Sequence, residues 1–474
     1  MDIGYCLSII ERRTNQIVIR INEYGLHEAA NFTKQWLQRT IPNTNFSTIE
    51  QNFEKGFASG RILLKNMQAK KFIPPHIHFH PSDHSFIYMT TESGFFEISS
   101  DFLIDSQFFS LLHIPLGGTV DAQISGLQSE IGMQVTAENR LEIYRCDASI
   151  LDLKLHFGGS LAADVIHWFR RSLSNAIQQQ LEIQLCDTIT TKWLPWVKEQ
   201  IGKFPVNITI NAENPEVLLL QTVHSVSMTQ NHIDLRMRSD LLWDGELIEN
   251  DPETPNPEML LEINKLEPSS RMIDMFIEEE TVQNIIAATH FAGHFNQTVV
   301  SQFLRTNCEV LCVGTVLPEL KQTLPNRTLK VQVVTLNPPI IILQNKRAIV
   351  RLNVSLEVFA EPALENHEST ILSISAYTEF VLTMEIVNKR LKGYVSMVTA
   401  KAALIENKLD LLSQKTVDFL INMSKPFLED AVDMFFGHGL LINDPFKFPS
   451  INEHLSINRK CLRFQTDLVI QDDL

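Results

Sequence analysis

A two-residue period of apolar and polar side chains, recurring in both halves, constrains this chain more than any other feature. In the second half Leu329, Val331 and Val333 alternate with Lys330 and Gln332. Leu352, Val354, Leu356 and Val358 alternate with Asn353, Ser355 and Glu357, and Phe380, Leu382, Met384 and Ile386 repeat the pattern. Successive side chains of a strand point to opposite faces, so each such segment has one wet face and one dry face. Antiparallel sheet wrapped around something apolar satisfies both. On this reading Asn353 points to solvent.

Helical periods are few, and they fall at matching places. An alternating strand, Ile17 to Ile21, precedes an amphipathic helix from about Gly25 to Arg39; Met272 to Ile277 precedes another from about Glu279 to Phe295. Each half then has many short strands and ends in a longer helix. The first runs from about Leu161 to Leu181, with Val165, Trp168, Phe169, Leu173, Ala176 and Ile177 on one face. The second runs from about Gln414 to Phe436 and is interrupted near Pro426. Between the halves, residues 244–270 hold Pro252, Pro255, Pro257 and Pro268 and eight carboxylates against one lysine. Missing donors and like charges read as a linker or exposed loop. The expected division is therefore 1–243, a Pro/acid-rich linker 244–270, and 271–474. This is an α+β duplication.

Charge narrows the partners. With 56 acidic residues against 40 basic ones the net charge is −16, which disfavours nucleic acid. Between Lys71 and Arg140 there is no Lys or Arg. No stretch approaches the ~20 apolar residues of a membrane-spanning helix. Asn-X-Ser/Thr sequons begin at Asn31, Asn45, Asn207, Asn296, Asn326, Asn353 and Asn422, an expectation of a glycoprotein. The start, Met1 to Glu11, lacks a charged segment followed by a sustained apolar one, so no signal peptide is visible. Either the chain is cytosolic or its true N-terminus is missing.

In order and kind of motif the sequence resembles the family of bactericidal/permeability-increasing protein, lipopolysaccharide-binding protein and the plasma lipid-transfer proteins. Ile17-Val18-Ile19-Arg20-Ile21-Asn22-Glu23-Tyr24-Gly25-Leu26 is similar to the family's opening strand and glycine-leucine helix start. Cys146 and Cys186 bracket the long helix as the family's single N-terminal-barrel disulfide does. Val316-Leu317-Pro318-Glu319-Leu320, then Leu336-Asn337-Pro338-Pro339, look like its strand and Pro-Pro turn. The resemblance covers nearly the whole chain. It implies two pseudo-symmetric elongated barrels of twisted antiparallel sheet wrapped on long helices and joined by a central sheet into a boomerang. Length alone suggests about three domains; the resemblance implies two.

The resemblance also implies the function. A secreted, extracellular, non-enzymatic protein would hold lipid, phosphatidylcholine in some relatives and neutral lipid in others, in a tunnel between each sheet and its helices. It would need no cofactor beyond the bound lipid, probing a lipid, membrane or lipoprotein surface as a monomer. Leu26, Ala29, Ala30 and Leu37 on the first helix, with Val165, Phe169 and Leu173 on the second, are the expected pocket lining, although each also fits ordinary core. The alternative is an innate-immune binder of microbial lipids such as lipopolysaccharide. Antibacterial members cluster Lys and Arg at the tip of the first barrel. Here the corresponding stretch, Phe95 to Gly118, holds Glu97, Asp101 and Asp105 and no base, so an anionic headgroup is expected to meet repulsion. Phe102, Phe108, Phe109, Leu111 and Leu112 there either dip into a lipid surface or pack inside the barrel.

Other constellations carry less. His76, His78 and His80 alternate, with His84 behind, but Pro74, Pro75 and Pro81 frame them as a loop or sheet edge, and no metal is expected. His290 and His294 are one turn apart on an apolar helix and read as packed or capped. His27-Glu28-Ala29-Ala30-Asn31 lacks the second His of a zinc-protease motif. No nucleophile elbow, phosphate loop or dinucleotide fingerprint occurs. The spacing leaves open whether Cys308 and Cys312 join each other, join Cys461 or stay free, and Cys6 is uninterpretable.

Overall fold

The computed structural model describes residues 16–44, 46–55, 58–82, 86–108, 112–136, 140–158, 163–201, 207–211, 217–243, 245–248, 257–310, 312–361, 370–407, 413–419, 421–422, 440–441 and 448–469. In the first half β1 (Gln16–Asn22) leads into helix α1 (Glu23–Thr40). There follow β2 (Ile49–Lys55), β3 (Ala58–Ile73), β4 (His76–Ser82), β5 (Phe86–Phe108), β6 (Leu112–Val135) and β7 (Leu141–Gly158). Helix α2 (Ala163–Thr188) continues through a π-helical turn (Ile189–Trp193) into α3 (Leu194–Ile201). Strands β8 (Asn207–Asn211), β9 (Val217–Met228), β10 (His232–Trp243) and β11 (Glu246–Ile248) end this half.

The second half begins with α4 (Pro257–Ile263), β12 (Ile273–Glu278) and α5 (Glu279–Phe291), then β13 (Gln297–Arg305), α6 (Val313–Val316) and α7 (Pro318–Thr323). Strands β14 (Thr328–Thr335), β15 (Ile340–Gln344), β16 (Arg347–Glu361), β17 (Leu372–Val387) and β18 (Arg390–Asn407) follow. Last come β19 (Leu440–Leu441), β20 (Ser450–Asn458) and β21 (Cys461–Leu468). The expected helix from Gln414 is helical at 414–419 and 421–422, and its continuation to Phe436 lies outside the described residues.

Two curled antiparallel sheets flank a central one. The first half-barrel runs β2-β3-β5-β6-β7 with β4 on β5, and the second runs β13-β14-β16-β17-β18-β19 with β15 on β16. Strands β5 and β6 have 23 and 24 residues, roughly 75 Å at about 3.3 Å per residue. Strands this long twist of themselves, and interruptions of the ladder bend them further. Register shifts at Thr91/Gly94 and a left-handed Gly126 provide the interruptions. The inner face of this sheet supplies Ile62, Leu64, Met89, Phe96, Phe102, Ile124, Ile131 and Met133 to one apolar core with Trp36, Leu37, Leu173, Ile177 and Leu181.

The central sheet, β20-β21-β12-β1-β10-β9-β8, carries the duplication. On one side of the β1–β12 seam stands the β9–β10 hairpin, and on the other the β20–β21 hairpin. The seam pairs Ile17 with Ile277 and Ile21 with Ile273. Charges cross it in alternation. Arg20 is opposite both Asp234 and Asp274, binds Asp234 at 2.7 and 2.9 Å, and Arg463 binds Asp274 at 2.7 Å. The Phe276 ring lies under both guanidinium groups, at 5.5 and 5.7 Å.

Two local expectations are corrected. The exposed-loop reading of 244–270 fails at α4, whose Met259 and Ile263 bury against Val18 and Phe276 and so cover one face of the central sheet. Val316 to Leu320 is not a strand but the junction of α6 and α7, where Pro318 opens a helix at a position that needs no backbone donor. Cys146 bonds Cys186, tying β7 to the end of α2. Cys308 bonds Cys312, and Cys461 is free and buried beneath α4.

Candidate binding cavities

Space remains where the first half-barrel, its helices and the central sheet meet. One cavity of about 290 Å³ lies between the sheet and the two long helices; its walls include Leu37, Phe72, Met89, Phe96, Ile124, Ile150 and Leu181. A second of about 230 Å³ lies between α1, α3 and the central sheet, lined by Leu26, Ala29, Phe32, Ile87, Met133 and Trp196, with Met272, Phe448 and Leu468 from the second half. Thr33 and Trp193 line both.

The helices are placed here by their own sequence. Leu26, Ala30, Thr33 and Leu37 recur at helical spacing on the buried face of α1, and Leu173, Ile177 and Leu181 on that of α2. Glu23 in the first turn of α1 and Arg39 in the last suit the helix dipole. Trp196 of α3 packs on Phe32 and Trp36 of α1, ring centres 5.1 and 5.7 Å apart. The π turn between α2 and α3 widens the backbone, with Leu194 N–H donating to the carbonyl of Ile189. Thr190 and Thr191 hydroxyls donate to the carbonyls of Cys186 and Asp187 at 2.9 and 2.7 Å. The turn ends on Trp193, whose ring stacks on Phe79 at 6.4 Å and 14°.

Polarity is distributed unevenly. Thr44, Ser47, Gln184, Asp187, Thr188 and Lys192 all border the first cavity, and Gln184 donates to the Ser47 hydroxyl. Deeper in, the hydroxyls of Thr91 and Ser129 satisfy each other at 2.8 Å. Among the described residues lining the second cavity, Thr33, Gln200 and the indole N–H groups of Trp193 and Trp196 are the polar groups, and the other side chains are apolar.

The residues singled out in the sequence separate here. Leu26 and Ala29 line the second cavity and Leu37 the first. Ala30 and Leu173 are buried in the surrounding core without lining either. Val165 and Phe169 fall on α2, but their side chains lie outside the described residues. The period of two marked the dry faces, yet it could not separate side chains facing space from side chains facing other side chains. Trp193 was missed for another reason: it belongs to a π turn, which no 3.6-residue period reveals.

At the barrel tip Phe102 takes the second of its two expected places, inside the barrel, edge-on to Phe157 at 5.6 Å. Phe109 and Leu111, and the side chains of Phe108 and Leu112, lie outside the described residues. Glu97, Asp101 and Asp105 on β5 stand opposite Lys71, Lys65 and Arg61 on β3, so the carboxylates alternate with bases across the ladder.

The remaining candidates fall as follows. His76, His78 and His80 are exposed on β4, His84 lies outside the described residues, and no group of three potential ligands is placed to hold a metal among the described residues. His290 shares a hydrogen bond of 2.6 Å with Thr335, and its burial lowers its pKa. Among the sequons Asn296, Asn326 and Asn422 are exposed, and Asn31 is half-buried on α1. Asn353 is also half-buried, opposite Tyr377, rather than pointing freely to solvent. Asn45 and the side chain of Asn207, like Cys6, lie outside the described residues. Among these residues no helix is long and apolar enough to cross a membrane.

Comparison with known proteins agrees with this architecture. The model of the LBP / BPI / CETP family, C-terminal domain, matches residues 210–470, more than half of the chain. The crystal structure of lipopolysaccharide binding protein is similar over 97% of this chain and 100% of its own, with 14% identity and a TM-score of 0.57. The structure of P47 from Clostridium botulinum A2 aligns over 96% of this chain and 97% of its own, with 12% identity and a TM-score of 0.30.

Proposed function

This chain belongs to the LBP / BPI / CETP family, and from that premise we propose that it is an extracellular, non-enzymatic carrier of phospholipid-like molecules. The observation that carries the reading is the pair of adjoining apolar cavities meeting at Thr33 and Trp193. Moving a methylene from water into such a space is worth about 0.8 kcal/mol, so ten methylenes of one tail contribute on the order of 8 kcal/mol. Affinity of that kind needs no reactive group. Two disulfides fit an oxidising compartment, and the sequons at Asn296, Asn326 and Asn422 are accessible to glycosylation there.

The rim of the first cavity favours a zwitterionic headgroup. Lys192 offers a cation to a phosphate and Asp187 an anion to a quaternary or primary ammonium, with hydroxyls between them. The protein would work as a monomer, exchanging its lipid with a membrane or lipoprotein surface.

The test is uptake of fluorescent phosphatidylcholine from vesicles, with lipopolysaccharide as a separate ligand at physiological salt. Saturable uptake of phosphatidylcholine, with only weak endotoxin binding, is expected. Tight lipopolysaccharide binding without phospholipid uptake would replace this reading by one of microbial-lipid recognition.

A further inference from the structure

Trp193 holds a hydrogen-bond donor that none of the described residues accepts. Its side chain is 2% exposed, and its indole Nε1 is buried without a partner among the described residues. A buried indole N–H ordinarily finds an acceptor. The Thr33 hydroxyl, which shares the junction of the cavities, donates to the Ala29 carbonyl and accepts no bond from the indole, and Phe79 stacks on the Trp193 ring without offering an acceptor.

We infer that Trp193 donates to an ester carbonyl of the bound lipid, so that the cavities select acyl esters over ether-linked chains of equal length. The inference rests on the carrier reading above and names the chemistry it selects. On one side of Trp193 lies a cavity almost without polar groups, and on the other a cavity with a polar rim. An acyl chain, its ester and a headgroup have the same order of polarity. The donor is also fixed in direction, because the π turn sets its backbone and Phe79 stacks on its ring. A buried, unpaired donor beside a cavity whose lining is otherwise almost all apolar discriminates by what it leaves unpaired. A chain lacking the carbonyl fills the same volume and leaves the N–H orphaned.

The experiment offers wild-type protein and Trp193→Phe equimolar dioleoyl phosphatidylcholine and its dialkyl ether analogue in mixed vesicles, and quantifies the loaded lipid by mass spectrometry. Phenylalanine keeps the stack on Phe79 and removes the donor. Wild type is expected to prefer the diester by about two- to twelvefold, the value of one net hydrogen bond. Trp193→Phe should load both equally. Equal loading by wild type, or an unchanged preference in the variant, overturns the inference while leaving the carrier reading intact. Loading of neither lipid by wild type overturns both. If the variant does not fold, the wild-type indole proton resonance of Trp193 decides: it should move downfield with the diester and not with the diether, and identical shifts overturn the inference.

Discussion

A β-carbon placed on Gly25 would stand 2.5 Å from the carbonyl oxygen of Met272. Gly25 lies in the first turn of the first helix of one half, and Met272 precedes the first strand of the other; both line the second cavity. The contact is reinforced next door, where the Asn22 N–H donates to the same carbonyl at 3.0 Å. Glycine is therefore required by close approach of two backbones, and the approach sets how the two halves meet around the space.

Gly25→Ala should accordingly destabilise the protein by about 1–3 kcal/mol, the usual cost of overpacking against atoms that cannot move aside. Urea unfolding followed by circular dichroism would measure it. A variant as stable as wild type would show that the seam between α1 and Met272 yields easily.

The two disulfides should differ in weight. On the chain-entropy model a loop of 40 residues, as at Cys146–Cys186, is worth about 4 kcal/mol, and one of 4 residues, as at Cys308–Cys312, about 2 kcal/mol. Removing Cys146 and Cys186 together should lower the denaturation midpoint more than removing Cys308 and Cys312. The first pair also holds the long helix over a hollow sheet, so its loss should reduce lipid uptake as well.

Removing the buried cation at the seam should be costly. Arg20→Met leaves Asp234 desolvated without its bidentate partner, a loss of about 3–5 kcal/mol. Arg20→Met combined with Asp234→Leu should be the milder change. A double variant as damaged as the single one would mean that the pair contributes through shape rather than charge.

Stability should decline on mild acidification. Burial lowers the pKa of His232, outweighing the nearby Asp234, and burial alone lowers that of His290. Each therefore takes up its proton at a lower pH when folded than when unfolded, so as pH falls through about 6.5 the unfolded chain binds protons more readily than the folded one. The melting temperature should therefore drop between pH 7.5 and pH 5.5. Replacing both histidines by glutamine should make that drop smaller.

Much of the fold was legible because it is periodic or duplicated. The strand–helix order beginning at Ile17 and Met272 is the pseudo-symmetry of the central sheet, and Cys146 and Cys186 are joined as the family resemblance implied. Charge pairing was legible but unread: residue numbers of Arg61 with Asp105 and of Lys65 with Asp101 have equal sums, as antiparallel partners must. Phe102 stayed undecided between surface and core because Leu103 follows it directly, and two adjacent apolar residues do not say which of them faces inward. The long-range return of β20 and β21 to β12 could not be seen locally, since it depends on the register at Asp274 and Gln465. For the same reason the cavity walls, drawn from six or more elements, had no contiguous motif.

The most direct test of lipid carriage is native mass spectrometry of the protein secreted from cultured cells, followed by organic extraction and identification of what is released. The account predicts an excess mass in the native spectrum that disappears on extraction, and a diacyl lipid in the organic phase. Protein that carries no extractable lipid and accepts none from vesicles would contradict it.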